Sequence, residues 1–75
     1  MARIPPLSGT DVVAILQSHG FVYVRHKGSH AVLQSLQNDT TVTVIVPLHK
    51  ELATGTLRSI IRQSGLPRET FTKAP

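Results

Sequence analysis

Residues 21–35 read FVYVRHKGSHAVLQS, two β-patterned runs separated by a glycine turn. Residues 21–25 are rich in β-branched and aromatic side chains, which favour strands, and residues 30–35 follow with a weaker strand signal. Gly28 can adopt a positive φ without steric penalty, so Lys27-Gly28-Ser29-His30 can reverse the chain tightly. The stretch therefore predicts an antiparallel hairpin that carries a lysine and a histidine at its turn.

A third strand is predicted downstream of the hairpin. Residues 41–46 read TVTVIV, an alternation of Thr with β-branched apolar residues, and Pro47 closes the run because proline cannot donate a ladder hydrogen bond. Residues 37–39 have the composition of a turn. Because short connections favour antiparallel pairing, we expect the three strands to form a meander.

One helix is predicted on each side of the strands. The first begins with a capping box at Ser8 and ends near His19, where Gly20 provides a left-handed stop. The second is expected to be capped by Thr54 and to end at Gly65. Each helix has one apolar side, so both can cover the same face of the sheet. The prediction is an α+β domain of order αβββα, a three-stranded antiparallel sheet with two helices on one face.

Length and charge restrict the function. We expect residues 1–75 to form a single domain with a core from about residue 7 to residue 71, because a chain of this length has room for only one. Eight Lys and Arg against four Asp and Glu give a formal net charge of +4, which favours an anionic partner such as nucleic acid. An acidic protein surface would satisfy the same charge. Three aromatic residues are too few for a base-stacking platform, so we expect RNA to be bound through its backbone and shape.

The compartment is predicted from what the sequence lacks. There is no cysteine, which excludes disulfides and Cys-based zinc sites. The N-terminal residues lead into no apolar signal-like region, and no apolar run is long enough to span a bilayer. We therefore expect a soluble cytoplasmic protein with no membrane association.

His30 is the residue that we expect to carry chemistry. Histidine is the side chain that exchanges protons most readily near neutral pH, which suits general acid-base catalysis. Alternation along the second strand places His30 on one face with Val32. The other face carries Ala31 and Leu33, the better core set, so His30 is predicted to lie near solvent.

Short motifs extend along most of the chain. In order they are Gly20-Phe21, Val24-Arg25, Lys27-Gly28-Ser29-His30, Val46-Pro47, His49, Glu51-Leu52, Gly55-Thr56-Leu57, Ile60 and Arg62-Gln63-Ser64-Gly65-Leu66. In this order and spacing the chain resembles the HicA-type toxins, small mRNA interferases of bacterial toxin-antitoxin pairs. The resemblance implies a double-stranded-RNA-binding-like domain that cuts mRNA with the histidine of the second strand, here His30. It also implies a HicB-type antitoxin as partner, in a toxin-antitoxin hetero-oligomer.

The hypothesis assigns a role to each residue around the turn. His30 would be the general acid or base, Lys27 a phosphate contact and Ser29 a hydrogen-bond donor, with Gly28 shaping the turn and Arg25 as a second cation. No cofactor is expected, because RNA supplies its own nucleophile in the 2′-OH group. Further candidates for RNA binding lie downstream and are His49, Lys50, Arg58 and Arg62.

Alternatives remain open for several of these residues. Arg58 and Arg62 lie four residues apart on the second helix, and a solvated helix face explains them as well as phosphate binding does. His49 is either a second proton-transfer group or an ordinary loop residue. The four histidines, at positions 19, 26, 30 and 49, include no His-x-x-x-His pair on a helix, so no metal site is expected. Two rival functions are a non-catalytic RNA-binding module and a basic protein-interaction domain.

Overall fold

The structure is a computed structural model that describes residues 4–72. Its elements are, in chain order, α1 (Gly9–Ser18), β1 (Val22–Lys27), β2 (His30–Gln37), β3 (Thr40–Pro47), α2 (Thr54–Ser64) and a 3₁₀ helix, η1 (Arg68–Phe71). The strands form one antiparallel sheet in the order β1-β2-β3. The predicted αβββα order is confirmed, and it is consistent with a double-stranded-RNA-binding-like fold.

Helix α1 begins and ends as its sequence predicts. The Ser8 hydroxyl accepts a hydrogen bond from the Asp11 amide, and the Asp11 carboxylate accepts one from the Ser8 amide, both at 3.0 Å. Gly20 has φ +91° after the last turn, and the Phe21 amide donates to the Leu16 carbonyl at 3.0 Å. Local capping chemistry therefore sets both ends of α1.

The predicted cap of α2 is wrong. Thr54 is the first helical residue, and the N-cap position belongs to Ala53, whose methyl group cannot accept a hydrogen bond. The preceding residue, Leu52, is buried and donates its amide to the Leu7 carbonyl at 2.8 Å, which fixes the chain just before the helix. The C-terminal prediction is confirmed, because Gly65 has φ +71° in the left-handed region.

Both hairpin turns contain two residues. Gly28 has φ +58° in the first turn, and Asn38 and Asp39 have φ +50° and +63° in the second, the pair of positive angles that defines a type I′ turn. All three strands extend beyond their predicted C-terminal limits. The β2–β3 register is continuous from His30 opposite Pro47 to Gln37 opposite Thr40. The β1–β2 register shifts between Tyr23 and Arg25, which marks a β-bulge.

The core lies between the helices and one face of the sheet. Its largest fully buried hydrophobic side chains come from α1, β2, β3, α2 and η1, and they are Val12, Leu16, Leu33, Val44, Val46, Ile60 and Phe71. Phe71 reaches the core from η1, which packs against α1. The helices therefore cover one face of the sheet, and the other face is open.

Gly9 allows α1 to approach the end of β3 closely. A Cβ atom at Gly9 would lie 2.7 Å from the Leu48 Cα and closer still to the Pro47 carbonyl oxygen. The Gly9 amide donates to the His49 carbonyl at 2.9 Å across the same contact. Because backbone atoms cannot move aside as a flexible side chain can, any larger residue at position 9 must separate α1 from the sheet.

We expect Gly9→Ala to lower the free energy of unfolding by about 1–3 kcal/mol, the usual effect of overpacking. Gly55→Ala is the matched control, because a Cβ there would meet no atom of residues 4–72 within 4 Å apart from its chain neighbours and the backbone of its own helix. The control should be neutral or more stable, since alanine is the better helix former by about 0.5–1 kcal/mol. Urea denaturation of the three proteins measures both effects, and a Gly9→Ala protein as stable as wild type would contradict the close approach.

Candidate functional site

The open face of the sheet brings His30 together with two cations. In the strand register Lys27 lies opposite His30 and Arg25 lies opposite Val32. On the other side of β2, Ile45 lies opposite Val32. Directly opposed residues of an antiparallel pair point to the same face. His30 is exposed, as the sequence predicts, and its nearest charged neighbour across the hairpin is Lys27.

The bulge in β1 decides which face the cations occupy. Phe21 is buried, and strict alternation from Phe21 would turn Arg25 and Lys27 toward the helices. The register shift after Tyr23 reverses the alternation, so Arg25 and Lys27 lie on the open face. A bulge redirects side chains in this way without breaking the hairpin.

These side chains surround a shallow depression of about 560 Å³, lined by Arg25, Lys27, His30, Val32 and Ile45. Val32, only 7% exposed, and Ile45 give it an apolar floor, and two cations and an imidazole surround that floor. Among the described residues, 4–72, none of the acidic side chains lines it. The arrangement suits a phosphodiester, because the cations offset its charge and the imidazole can exchange a proton with it.

A backbone hydrogen bond from the segment that follows β3 holds the turn beside His30 in place. The Ser29 carbonyl accepts a hydrogen bond from the Leu48 amide at 2.7 Å. His49 follows directly, and its carbonyl is bound by Gly9 of α1. The backbone at His49 therefore lies near the start of β2. The exposed His49 side chain is not one of the five that line the depression.

The downstream basic residues occupy other positions. Lys50 is exposed in the connection between β3 and α2. Arg58 and Arg62 are exposed on α2, as predicted, and line two cavities on the helix side of the sheet. The structure thus brings Arg25, Lys27 and His30 together and places Arg58 and Arg62 on a different surface.

The two remaining histidines do not line the depression. His19 caps the end of α1, with Nδ1 2.9 Å from the Ile15 carbonyl oxygen, and His26 is exposed opposite Ala31, on the side of the sheet away from His30. Within residues 4–72, no three His, Cys, Asp or Glu side chains are grouped to hold a metal ion. Over the same range no helix is both long enough and apolar enough to cross a membrane.

Two positioning features were missed in the sequence. Gly9 is one; glycine is a poor helix former, so its presence in the first turn of α1 was a weak signal of close packing. The backbone bond from Leu48 to Ser29 is the other. Such a backbone hydrogen bond cannot be predicted from residue types, because any residue except proline can donate it.

The chain matches the model of a known protein family. The family model of the HicA toxin of bacterial toxin-antitoxin systems matches residues 9–66, which include the hairpin, β3 and α2. No curated protein matches the chain significantly.

Proposed function

The chain belongs to the HicA toxin family of toxin-antitoxin systems, and from this membership we propose that it is a metal-independent endoribonuclease that cleaves mRNA with His30 as general acid or base. The observation that carries the proposal is the position of His30. It is an exposed imidazole at a depression that it shares with Arg25 and Lys27. Family membership supports the toxin role, and the lining of the depression supports the proposed chemistry.

The proposed reaction uses the 2′-OH group of the RNA as nucleophile. His30 removes the 2′-OH proton while the 2′-oxygen attacks the adjacent phosphorus. The bond from phosphorus to the 5′-oxygen breaks, and that oxygen leaves with a proton from an acid or from water. The products are a 2′,3′-cyclic phosphate and a 5′-hydroxyl. A positioned histidine typically accelerates such a proton transfer by about 10²- to 10⁴-fold.

Two cations stabilise the charge that develops on phosphorus. Lys27 lies directly opposite His30, and Arg25 lies two cross-strand pairs farther from the turn, opposite Val32. Their charges counter the additional negative charge of the phosphorane, an effect that increases where apolar groups such as Val32 lower the local dielectric. Gly28 and Ser29 form the turn between Lys27 and His30, and the Ser29 hydroxyl is a candidate donor to a phosphate oxygen.

Two residues beyond the turn are proposed as secondary RNA contacts. The backbone of His49 is held next to the turn by the bonds of Leu48 and Gly9, and Lys50 follows it, exposed. His49 is also a candidate for protonating the leaving oxygen. Both residues would follow the RNA backbone without reading bases, consistent with the few aromatic residues of the chain.

The proposed partner is a HicB-type antitoxin that silences the toxin in the cytoplasm, in a toxin-antitoxin hetero-oligomer. The family implies a toxin-antitoxin partner in general. The formal net charge of +4 favours association with an acidic protein as well as with RNA.

We expect the wild-type protein to cleave a labelled single-stranded RNA at the same rate with and without EDTA. The matched substrate carries 2′-deoxy or 2′-O-methyl sugars in the same sequence and should stay intact, because it has no nucleophile. Gel analysis of the products, including the cyclic phosphate, measures both results. Activity that needs Mg²⁺ would contradict metal independence, and RNA binding without turnover would favour a non-catalytic RNA-binding module.

A further inference from the structure

A second basic surface lies on the helix side of the molecule. Two cavities, of about 280 and 220 Å³, both include Ile4, Arg58 and Arg68 in their linings. Ile61 and Arg62 complete the lining of the smaller one. We call the surface formed by Ile4, Arg58, Ile61, Arg62 and Arg68 the arginine groove.

The arginine groove combines positive charge with an apolar floor. Helix α2 contains Arg58 and Arg62 and no acidic residue. Among the described residues, 4–72, no acidic side chain lines either cavity. Like charges four residues apart on a helix disfavour the helix. The pair therefore has an unfavourable effect on folding that a negatively charged ligand would remove.

The groove is separate from the depression at His30. Helix α2 packs on the covered face of the sheet, whereas His30 lies on the open face. Among the described residues, the lining of the depression and the lining of the groove have no member in common. An RNA strand in contact with His30 would have to pass around the edge of the sheet to reach Arg58 or Arg62.

The floor of the groove favours a protein ligand over RNA. Ile4 and Ile61 are partly buried hydrophobic residues that pack against the core and line the groove. A phosphodiester backbone gains nothing from these side chains, whereas an amphipathic peptide can place apolar residues on them and direct carboxylates to the arginines. Arginine is well suited to such contacts because its planar guanidinium binds a carboxylate through two parallel hydrogen bonds.

We propose that the arginine groove binds an acidic, amphipathic segment of the antitoxin. Carboxylates of that segment pair with Arg58 and Arg62, and its apolar side chains cover Ile4 and Ile61. This inference deepens the proposed pairing with an antitoxin and rests on it. Because the groove lies away from the open face, it holds the antitoxin through contacts for which RNA at His30 does not compete.

The test compares wild type with the double variant Arg58→Gln, Arg62→Gln, in which glutamine preserves helix propensity and removes two charges. The antitoxin of the same toxin-antitoxin system is titrated into each protein by calorimetry near 150 mM salt. Loss of two desolvated charge pairs should weaken binding by about tenfold or more. RNA cleavage by the free toxin should stay within about twofold of wild type, because neither arginine touches the depression.

A control variant separates the groove from net charge. Thr10→Glu, Gln63→Glu also lowers the formal charge from +4 to +2, at two exposed helix positions that line neither the groove nor the depression. It should bind the antitoxin within about twofold of wild type, because long-range charge contributes mainly to the association rate. Circular dichroism of all three proteins checks the fold.

Four outcomes would overturn the inference. Unchanged antitoxin binding by the Arg58→Gln, Arg62→Gln protein would show that the groove is not the docking surface. An equal loss of antitoxin affinity in the control variant would mean that net charge alone explains the weaker binding. A loss of RNA affinity with full antitoxin binding would assign the groove to RNA. No binding by wild type would remove the pairing and the groove together, and would leave the cleavage chemistry at His30 standing.

Discussion

Replacement of His30 by alanine is expected to lower the rate of RNA cleavage by about 10²- to 10⁴-fold, the contribution of a positioned general acid or base. The fold should persist, because His30 is an exposed residue at the start of β2 and contributes no part of the core. The depression would retain Arg25 and Lys27, so RNA affinity should change by no more than a few fold. Single-turnover cleavage of a labelled RNA, with fluorescence anisotropy for binding, measures the two effects separately.

His26→Ala is the matched control for this experiment. His26 is an exposed histidine on the same hairpin, and its position opposite Ala31 places it on the other side of the sheet. Its removal should leave the cleavage rate within about twofold of wild type. Full activity in a folded His30→Ala protein would refute the proposed mechanism, and equal losses in both variants would show that neither histidine has a specific catalytic role.

Phe71→Ala should lower the free energy of unfolding by about 3–5 kcal/mol, the usual loss when a buried phenylalanine is truncated. Phe71 is fully buried and is the only phenylalanine in η1. At roughly 0.05–0.15 kcal/mol per residue, a domain of this length has about 4–11 kcal/mol in total. The substitution would therefore remove a large part of the stability. Urea denaturation followed by far-UV circular dichroism measures the loss.

The matched control for Phe71 is Leu36→Ala. Leu36 is a large apolar side chain that is 72% exposed on β2, so its truncation should change stability by no more than about 0.5 kcal/mol. A denaturation midpoint for Phe71→Ala equal to that of wild type would show that η1 does not pack against α1. The expected loss is notable because Phe71 lies beyond the segment matched by the family model, which ends at residue 66.

The predictions that succeeded rest on interactions within a few residues. The capping box at Ser8, the left-handed glycines at 20 and 65, and the positive φ of Gly28 are all confirmed. Each depends on a local effect: a side chain that bonds to the nearby backbone, or a glycine whose missing side chain allows a positive φ. Prediction of an exposed His30 succeeded for a related reason, because the better apolar set of β2 lies on alternate residues.

The predictions that failed depend on distant parts of the chain. Thr54 is a good capping residue by type, yet the cap position belongs to Ala53 because Leu52 is fixed by its bond to Leu7. The composition of β1 also did not show which face of the sheet Arg25 and Lys27 occupy. Their position follows from the bulge, and the bulge is a property of the register between β1 and β2.

The sequence by itself determined the order of the elements, their turns and the exposure of His30, because capping, glycine conformation and apolar alternation act over short stretches of chain. Only the tertiary structure decided which charges share a surface. It placed Arg25 and Lys27 beside His30, set Arg58 and Arg62 on the helix side, and brought Gly9 against the end of β3. The physical reason is that strand register and helix packing join residues far apart in sequence, and local residue types do not encode those pairings.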